Sequence, residues 1–357
     1  MPINQTSVWN GSQWVTMGGV VDTASNYNWA GSHNFAQSAI FQDDVRVKSL
    51  NGGQLAGFRN KIINGGFDIW QRGVSIAGAS GYCVDRWYAG AGASTTVSRQ
   101  SSGQALGSQY HARIAYTASS AFCNMHQMIE TSEVSKLWGR QVTASVKLRR
   151  NSTMSGGMDI AIYKSSTVDA SISATWTLLG YTRIDNSTIP TGTTSADWYT
   201  LSTTVTVPND GTANSLRFTI AETAVSPSGA YYEISQAQLE EGSVVTPFEE
   251  RYVGTELTLC QRYYEVVGGT STAGITLGGV ATAANQAFYF PYSFVVTKRI
   301  SPTLSKTGTW GVSNAIQPQV AFPQPSGFTL YGQSLASGMW YAQADSIDDT
   351  VVASAEL

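Results

Sequence analysis

Apolar and polar side chains alternate at every second residue through much of the middle of this 357-residue chain. In Gln141–Arg149, Val142, Ala144, Val146 and Leu148 fall on one side, and Thr143, Ser145, Lys147 and Arg149 on the other. Trp198–Val207 repeats the pattern, with Tyr199, Leu201, Val205 and Val207 opposite Trp198, Thr200, Ser202 and Thr204. Leu216, Phe218 and Ile220 oppose Arg217 and Thr219, and Tyr110–Tyr116 and Met158–Ile162 add two more segments. Successive side chains of a strand point to opposite faces, so each segment predicts a strand with one buried and one wet face, as in antiparallel sheets. Pro208-Asn209-Asp210-Gly211 and Ser155-Gly156-Gly157 supply turns between them. Many short strands without a long helical period predict an all-β fold: an antiparallel jelly-roll β-sandwich over residues 59–252.

Composition agrees. Charged residues are 13% of the chain, about half the usual share, while Thr, Val and aromatics suit a pleated, half-buried surface. The net charge of −3 and the lack of a basic run remove the electrostatic footprint of a nucleic-acid binder. No run of about 18 apolar residues occurs, so no membrane span is expected. Met1-Pro2-Ile3-Asn4-Gln5 lacks the charged start and apolar run of a secretory signal. Cys83, Cys123 and Cys260 are too few and too scattered for a disulfide scaffold, so they are expected reduced and buried.

Residues 1–58 differ from the rest. Trp9, Trp14 and Trp29 stand among Gly, Ser and Asn with weak periodicity, which reads as an extended N-terminal arm whose rings dock on another subunit. Ser132 is a possible N-cap for a short helix over Ser132–Trp138. Leu259, Cys260, Tyr263 and Tyr264 fall at helical spacing within Thr255–Val266, predicting a linker helix over 253–266. Residues 267–357 return to β character, in Ala287–Val296, Phe328–Tyr331 and Gly338–Ala342, and read as a second, smaller C-terminal β domain.

The string Asn60-Lys-Ile-Ile-Asn-Gly-Gly-Phe-Asp-Ile-Trp-Gln-Arg-Gly73, followed by Tyr82-Cys-Val-Asp-Arg-Trp87, resembles a recurring opening in phage tail-fibre and other virion structural proteins. Gln236-Ala-Gln-Leu-Glu-Glu-Gly-Ser-Val-Val-Thr-Pro-Phe-Glu249 resembles the closing strand of the same module, which is similar to carbohydrate-binding jelly rolls. Leu259-Cys-Gln-Arg-Tyr-Tyr264 and Ser301-Pro-Thr resemble the small β domain that often follows. The resemblance implies a virion location, homotrimers, other virion proteins held by the N-terminal arm, and a host glycan or receptor as partner. A capsid decoration protein, clamping capsid subunits through residues 1–58, is the alternative. A polysaccharide depolymerase is a further one.

Sugar binding relies on aromatic rings that stack on sugar faces, with polar groups fixing hydroxyls. Trp87, Tyr88, Trp176 and Trp198 are the candidates in the sandwich, and Trp310, Tyr331, Trp340 and Tyr341 in the C-terminal domain. Modules of the resembled kind often hold calcium, for which Asn64, Asp68 and Glu240 are weak candidates; no other cofactor is expected. Catalysis is not expected. No Gly-x-Ser-x-Gly elbow occurs, and Cys123 and His126 lack further ligands nearby for zinc. Of the acid pairs a glycosidase would need, Asp68 with Asp85 is the one not set on adjacent positions of a strand. Before Trp70, Asn64-Gly65-Gly66 predicts a turn, Asp68 and Trp70 are expected to share a sheet face with Phe67 and Ile69 on the other, and Arg72 is expected to pair with Asp85 or Glu240. Leu239 is expected in the core, with Gln238 and Glu240 opposite.

Overall fold

The structure is a computed structural model, and it describes residues 7–9, 12, 14–16, 57–78, 80–90, 92, 94–119, 123–269 and 274–357. The chain divides into two units, residues 1–46 and 47–357. In the first, β1 (Ser7–Trp9) pairs antiparallel with β2 (Trp14–Thr16), backbone of Trp9 opposite backbone of Trp14. The side chains of Trp9 and Trp14, and the whole of Trp29, lie outside the described residues.

The second unit opens with the sandwich. Its strands are β3 (Ser75–Ala77), β4 (Ser80–Val84), β5 (Trp87–Gly90), β6 (Thr95–Gln100), β7 (His111–Tyr116), β8 (Asn124–Ile129), β9 (Gln141–Arg150), β10 (Met158–Ser165), β11 (Thr177–Ile184), β12 (Tyr199–Thr206), β13 (Ser215–Glu222) and β14 (Tyr231–Glu241). They form two six-stranded sheets, the first in the order β11-β10-β13-β8-β5-β4 and the second β12-β9-β14-β7-β6-β3. Every pairing is antiparallel. The alternation appears as predicted: Val142, Ala144, Val146 and Leu148 from the second sheet meet Ile160, Ile162, Leu216, Phe218 and Ile220 from the first in one buried cluster. Each such side chain contributes about 1.5–3 kcal/mol of burial. Leu239 joins that core, and Gln238 and Glu240 face Ser145 and Thr143 on the outer side.

Two helical expectations need correction. The first helix is α1 (Thr131–Val134), capped at Glu130 rather than Ser132, and it passes into a 3-10 turn at Ser135–Leu137. The second, α2 (Val253–Gln261), stops before the predicted end, because residues 264–266 belong to a strand. Nor is it a free linker, since Glu256 and Cys260 are buried. No helix among the described residues is long and apolar enough to cross a membrane.

The C-terminal strands are β15 (Tyr264–Gly268), β16 (Ile275–Ala281), β17 (Ala287–Ser293), β18 (Thr303–Lys306), β19 (Gly311–Ser313), β20 (Gln319–Gln324), β21 (Gly327–Gln333), β22 (Gly338–Ala344) and β23 (Thr350–Ser354). They make three small sheets, β15-β23-β18, β16-β22-β19 and β17-β21-β20. Trp310, Phe328, Leu330 and Trp340 fill a core separate from that of the sandwich.

The motif strings of the sandwich and the C-terminal segment meet at the joint between these two β domains. Residues 61–70 are not a strand, which overturns the expected alternation of faces there: Phe67 (φ 60) and Trp70 are both buried, and the Trp70 indole donates to Phe67 O. Asn64 organises the loop. Its Oδ1 accepts from the Asp68 and Ile69 amides, its Nδ2 donates to the Ile69 and Asp85 carbonyls, and its carbonyl accepts from Trp87 Nε1 at 3.0 Å. Its amide donates to Glu256 on α2. Arg72 pairs with neither Asp85 nor Glu240 but with Glu356, at 2.7 Å, and Arg86 bonds the same carboxylate. Gln71 bridges Asp85 and the Tyr264 carbonyl, and Tyr82 Oη donates to Leu357 O. All three cysteines are free and buried.

Candidate functional site

The outer face of the second sheet carries hydroxyls and amides around Lys147, with a buried charge cluster toward its His111 end. Two cross-strand rows run Thr200–Lys147–Ser235 and Ser202–Ser145–Gln238. Above them lies a groove of about 290 Å³, floored by Ser145, Lys147, Thr200 and Gln236 and walled by Leu106 and the Val245–Phe248 segment. It leads into a smaller hollow of about 160 Å³, where Asp68, Glu249, Glu250 and Glu256 gather beside Arg251; Phe248 and Glu250 line both spaces.

A bulge builds the wall. The β9 register of β14 jumps between Ser235 and Gln238, and Gln236 sits at φ 51. An extra residue bends the strand and re-aims its side chain. Here Gln236 Nε2 reaches out to Leu106 O (2.7 Å) and Ser108 Oγ (3.0 Å), pinning the 104–109 loop above the sheet. Gly107 (φ 85) belongs to that loop, in a left-handed backbone state that favours glycine.

In the inner hollow Arg251 pairs with Glu249 and Glu256, while Asp68, among the described residues, makes no ion pair. Asp68 Oδ1 is buried without a hydrogen-bond partner. Burial pushes the Asp68 carboxyl up to about 6; the Tyr110 amide pulls it down, and the charges of Glu256 and Glu250 add to the rise. The same sheet face treats charge differently toward its His111 end. There Glu233 is buried among Arg149, Arg113 (2.6 Å) and His111 (3.3 Å), with Trp198 over the Arg149 guanidinium.

The predicted aromatic candidates are scattered. Trp87 is a core residue, stacked on Phe67 at 4.9 Å. Trp310 and Trp340 are buried in the C-terminal core, Trp340 because even-numbered residues of β22 face inward. Trp198 is the lid over the Glu233 cluster, its indole tied to Gly103 O. Tyr88 and Trp176 both lie on the outer side of the first sheet but are engaged there. Trp176 and Tyr163 hold Arg217 between them (5.0 and 4.4 Å), and Tyr88 packs edge-on to Tyr82 beside Leu357. Tyr341 is exposed on the C-terminal domain.

The calcium candidates do not converge. Asn64 is consumed by the joint, and both Glu240 oxygens accept from Thr246, one of them also from Gln238. Of the three, Asp68 alone lines the hollow beside the groove. Among the described residues no set of three or more His, Cys, Asp or Glu side chains is placed to hold a metal ion. Asp85, the candidate acid partner of Asp68 in the depolymerase alternative, sits in the joint with both oxygens bonded to Gln71. The sequence reading missed Phe248, Glu250 and Gln236. Phe248 and Glu250 stand at the end of the closing motif, and nothing in the string announces that β14 bulges at Gln236.

A scan of family models and a search of curated proteins find no match to this sequence. Among solved structures, partial likenesses fall on about half the chain. The enzymatically active domain of tailspike protein 4 of bacteriophage CBA120 is 13% identical over 52% of this chain, which spans only 22% of that one, with a TM-score of 0.34. A CBM4 structure is 16% identical over 50% of this chain and 97% of its own, TM-score 0.31. A xylan-binding domain of CBM 22 is 12% identical over 49% and 99%, TM-score 0.31.

Proposed function

We propose that this chain is a non-enzymatic phage virion subunit, carried on a tail fibre or similar appendage, that binds host-surface glycan through the groove on the second sheet. The observation that carries the glycan reading is the groove itself. It is a concave strip of hydroxyls and amides with Lys147 on its floor and Phe248 and Glu250 at its side, shaped by a bulge and by a loop that turns at Gly107. A hydroxylated ligand uses that combination of a ring to stack on and polar donors and acceptors to fix its orientation. The ordered motif strings support the virion setting. In a homotrimer, three such grooves raise the effective concentration, and avidity gains about 10²–10⁴ over a single weak site.

The test is binding of the full chain to polysaccharide extracted from host cells, comparing wild type with Phe248→Ala. Loss of about tenfold in affinity, equivalent to roughly 1.4 kcal/mol, is expected, with no change in folding temperature beyond about 1 °C. Unchanged affinity would move the site elsewhere. New reducing ends, abolished by Asp68→Asn, would make the protein a hydrolase instead.

A further inference from the structure

The C-terminal domain exposes rings that no part of the described chain covers. On the outer face of the sheet β17-β21-β20, Tyr289 stands directly opposite Tyr331, and Tyr331 opposite Gln319. The two phenol rings are 5.3 Å apart, and Phe322 reaches over to within 6.2 Å of Tyr289. Tyr289 is 57% exposed and Phe322 64%.

Phe322 is held in an unfavourable backbone state. The β20–β21 register shifts between Ala321 and Gln324, and the bulged Phe322 has φ 50. A left-handed conformation costs a residue with a Cβ about 1–2 kcal/mol, and for a bulky side chain it is a true outlier. Burial repays little of that cost when two-thirds of the side chain stays in water. Strain that the fold itself does not recover points to a use outside the fold.

The chemistry of the face narrows that use. Its outward positions are Ala287, Tyr289 and Pro291 on β17, Thr329, Tyr331 and Gln333 on β21, and Gln319 and Ala321 on β20, none of them a carboxylate or a base. Among the described residues, neither tyrosine hydroxyl nor the Gln319 amide has a hydrogen-bond partner. A second copy of the chain that covered the rings with apolar surface would strand those groups, at about 1–3 kcal/mol each. A pyranose ring presents C–H bonds on its face and hydroxyls on its rim, so it satisfies the rings and the polar groups together. An acidic sugar would find no cation to meet its carboxylate.

We propose that Tyr289, Tyr331 and Phe322 form a second glycan site, a shallow cradle of rings tilted 43° and 50° to one another that takes a neutral hexopyranose. The proposal rests on the glycan reading above but not on the groove. The contrast with the first sheet supports it, because there Trp176, Tyr163, Tyr82 and Tyr88 are occupied by Arg217 or by the C-terminal segment.

Calorimetric titration of the full chain tests it, with maltohexaose and cellohexaose as neutral probes and oligogalacturonate as the acidic one. A neutral probe is expected to bind, the acidic one to bind at least about tenfold more weakly. Tyr289→Ala and Phe322→Gly should each raise Kd at least about tenfold, while Phe322→Gly leaves the folding temperature unchanged or higher because it releases the strained φ. Retained affinity in both variants, preference for the acidic probe, or a change of oligomeric state in either variant would overturn the proposal, the last by assigning the face to a second copy. Binding lost only on Phe248→Ala sinks this cradle and keeps the groove. A wild-type chain that binds neither these probes nor host polysaccharide sinks both.

Discussion

The joint between the two β domains and the groove on the second sheet draw on the same side chains, yet they treat them in opposite ways. In the joint, charge is matched: Glu356 bridges Arg72 and Arg86, Arg262 pairs with Glu130 at 2.9 Å, and Arg251 with Glu256 at 3.3 Å. Rings there are clamped as well, with Arg86 over Tyr263 at 3.5 Å and Arg72 over Tyr264 at 3.4 Å. In the hollow beside the groove, Asp68 keeps a buried oxygen unpartnered, and in the groove wall Gln236 sits at φ 51. The joint also keeps buried atoms without a hydrogen bond, Arg72 Nε, Arg86 Nε, Glu130 Oε1 and Arg251 Nε, so what separates the two places is charge pairing: each of these joint side chains has a counter-charge, and Asp68, among the described residues, has none. Substitutions should therefore destabilise the joint, and should cost little or even stabilise at the groove.

The largest effect is expected in the joint. Glu356→Gln leaves two arginines, one of them fully buried, without a counter-charge. Breaking a buried pair in this way costs about 3–5 kcal/mol. Because Glu356 closes the C-terminal segment onto β4 and β5, thermal unfolding of the variant should separate into two transitions, the C-terminal domain melting first. A single transition within about 1 kcal/mol of wild type would show that the joint does not couple the domains.

This contrast also explains what could be read from the chain. The strands of the sandwich were legible because a period of two survives wherever one face is buried, as in β9, β12 and β13. The strings from Asn60 to Gly73 and from Tyr82 to Trp87 stood out as motifs, but what they build was not visible. They bond to each other and to partners far along the chain, as Asn64 does to Glu256, 192 residues away, and Arg72 to Glu356, 284 away. The binding surfaces were the least legible. Trp87, Trp310 and Trp340 are large enough to stack on a sugar but are spent on cores, while Phe248 and Phe322 owe their positions to a loop and to a bulge. Aromatic identity says nothing about which face of a strand a one-residue bulge will present.

A smaller effect separates the matched and unmatched ends of the second sheet. Burial alone would raise the Glu233 carboxyl, but hydrogen bonds from His111 and Arg149 and the charges of His111 and Arg113 hold it down at about 2. A carboxyl whose folded pKa is depressed stabilises fully above its unfolded value of 4.5 and loses that contribution as pH falls toward 2. The loss is at most about 3 kcal/mol. Acid titration of stability should thus steepen between pH 4.5 and 2, and Glu233→Gln should flatten that part of the curve. An unchanged slope in the variant would mean that the cluster does not set acid stability.

Asp68 should behave with the opposite sign and more weakly. Its folded pKa of about 6 lies above the reference of 3.8, so the folded state prefers the protonated form. Stability then falls as pH rises through that window, and above pH 6 the full cost is present. Because the side chain is only partly buried, solvent screening reduces this cost to about 1 kcal/mol. Asp68→Asn is expected to stabilise the protein by that amount at pH 7 and by nothing at pH 3.5, where Asp68 is already protonated in the fold. If its anionic form serves the ligand, the same change should weaken binding of host polysaccharide at pH 7. Gain of stability with loss of binding is the signature of a site group kept at the expense of the fold. A variant that is less stable at pH 7 would instead make Asp68 part of the scaffold, and the contrast between joint and groove would fail at the residue where it is sharpest.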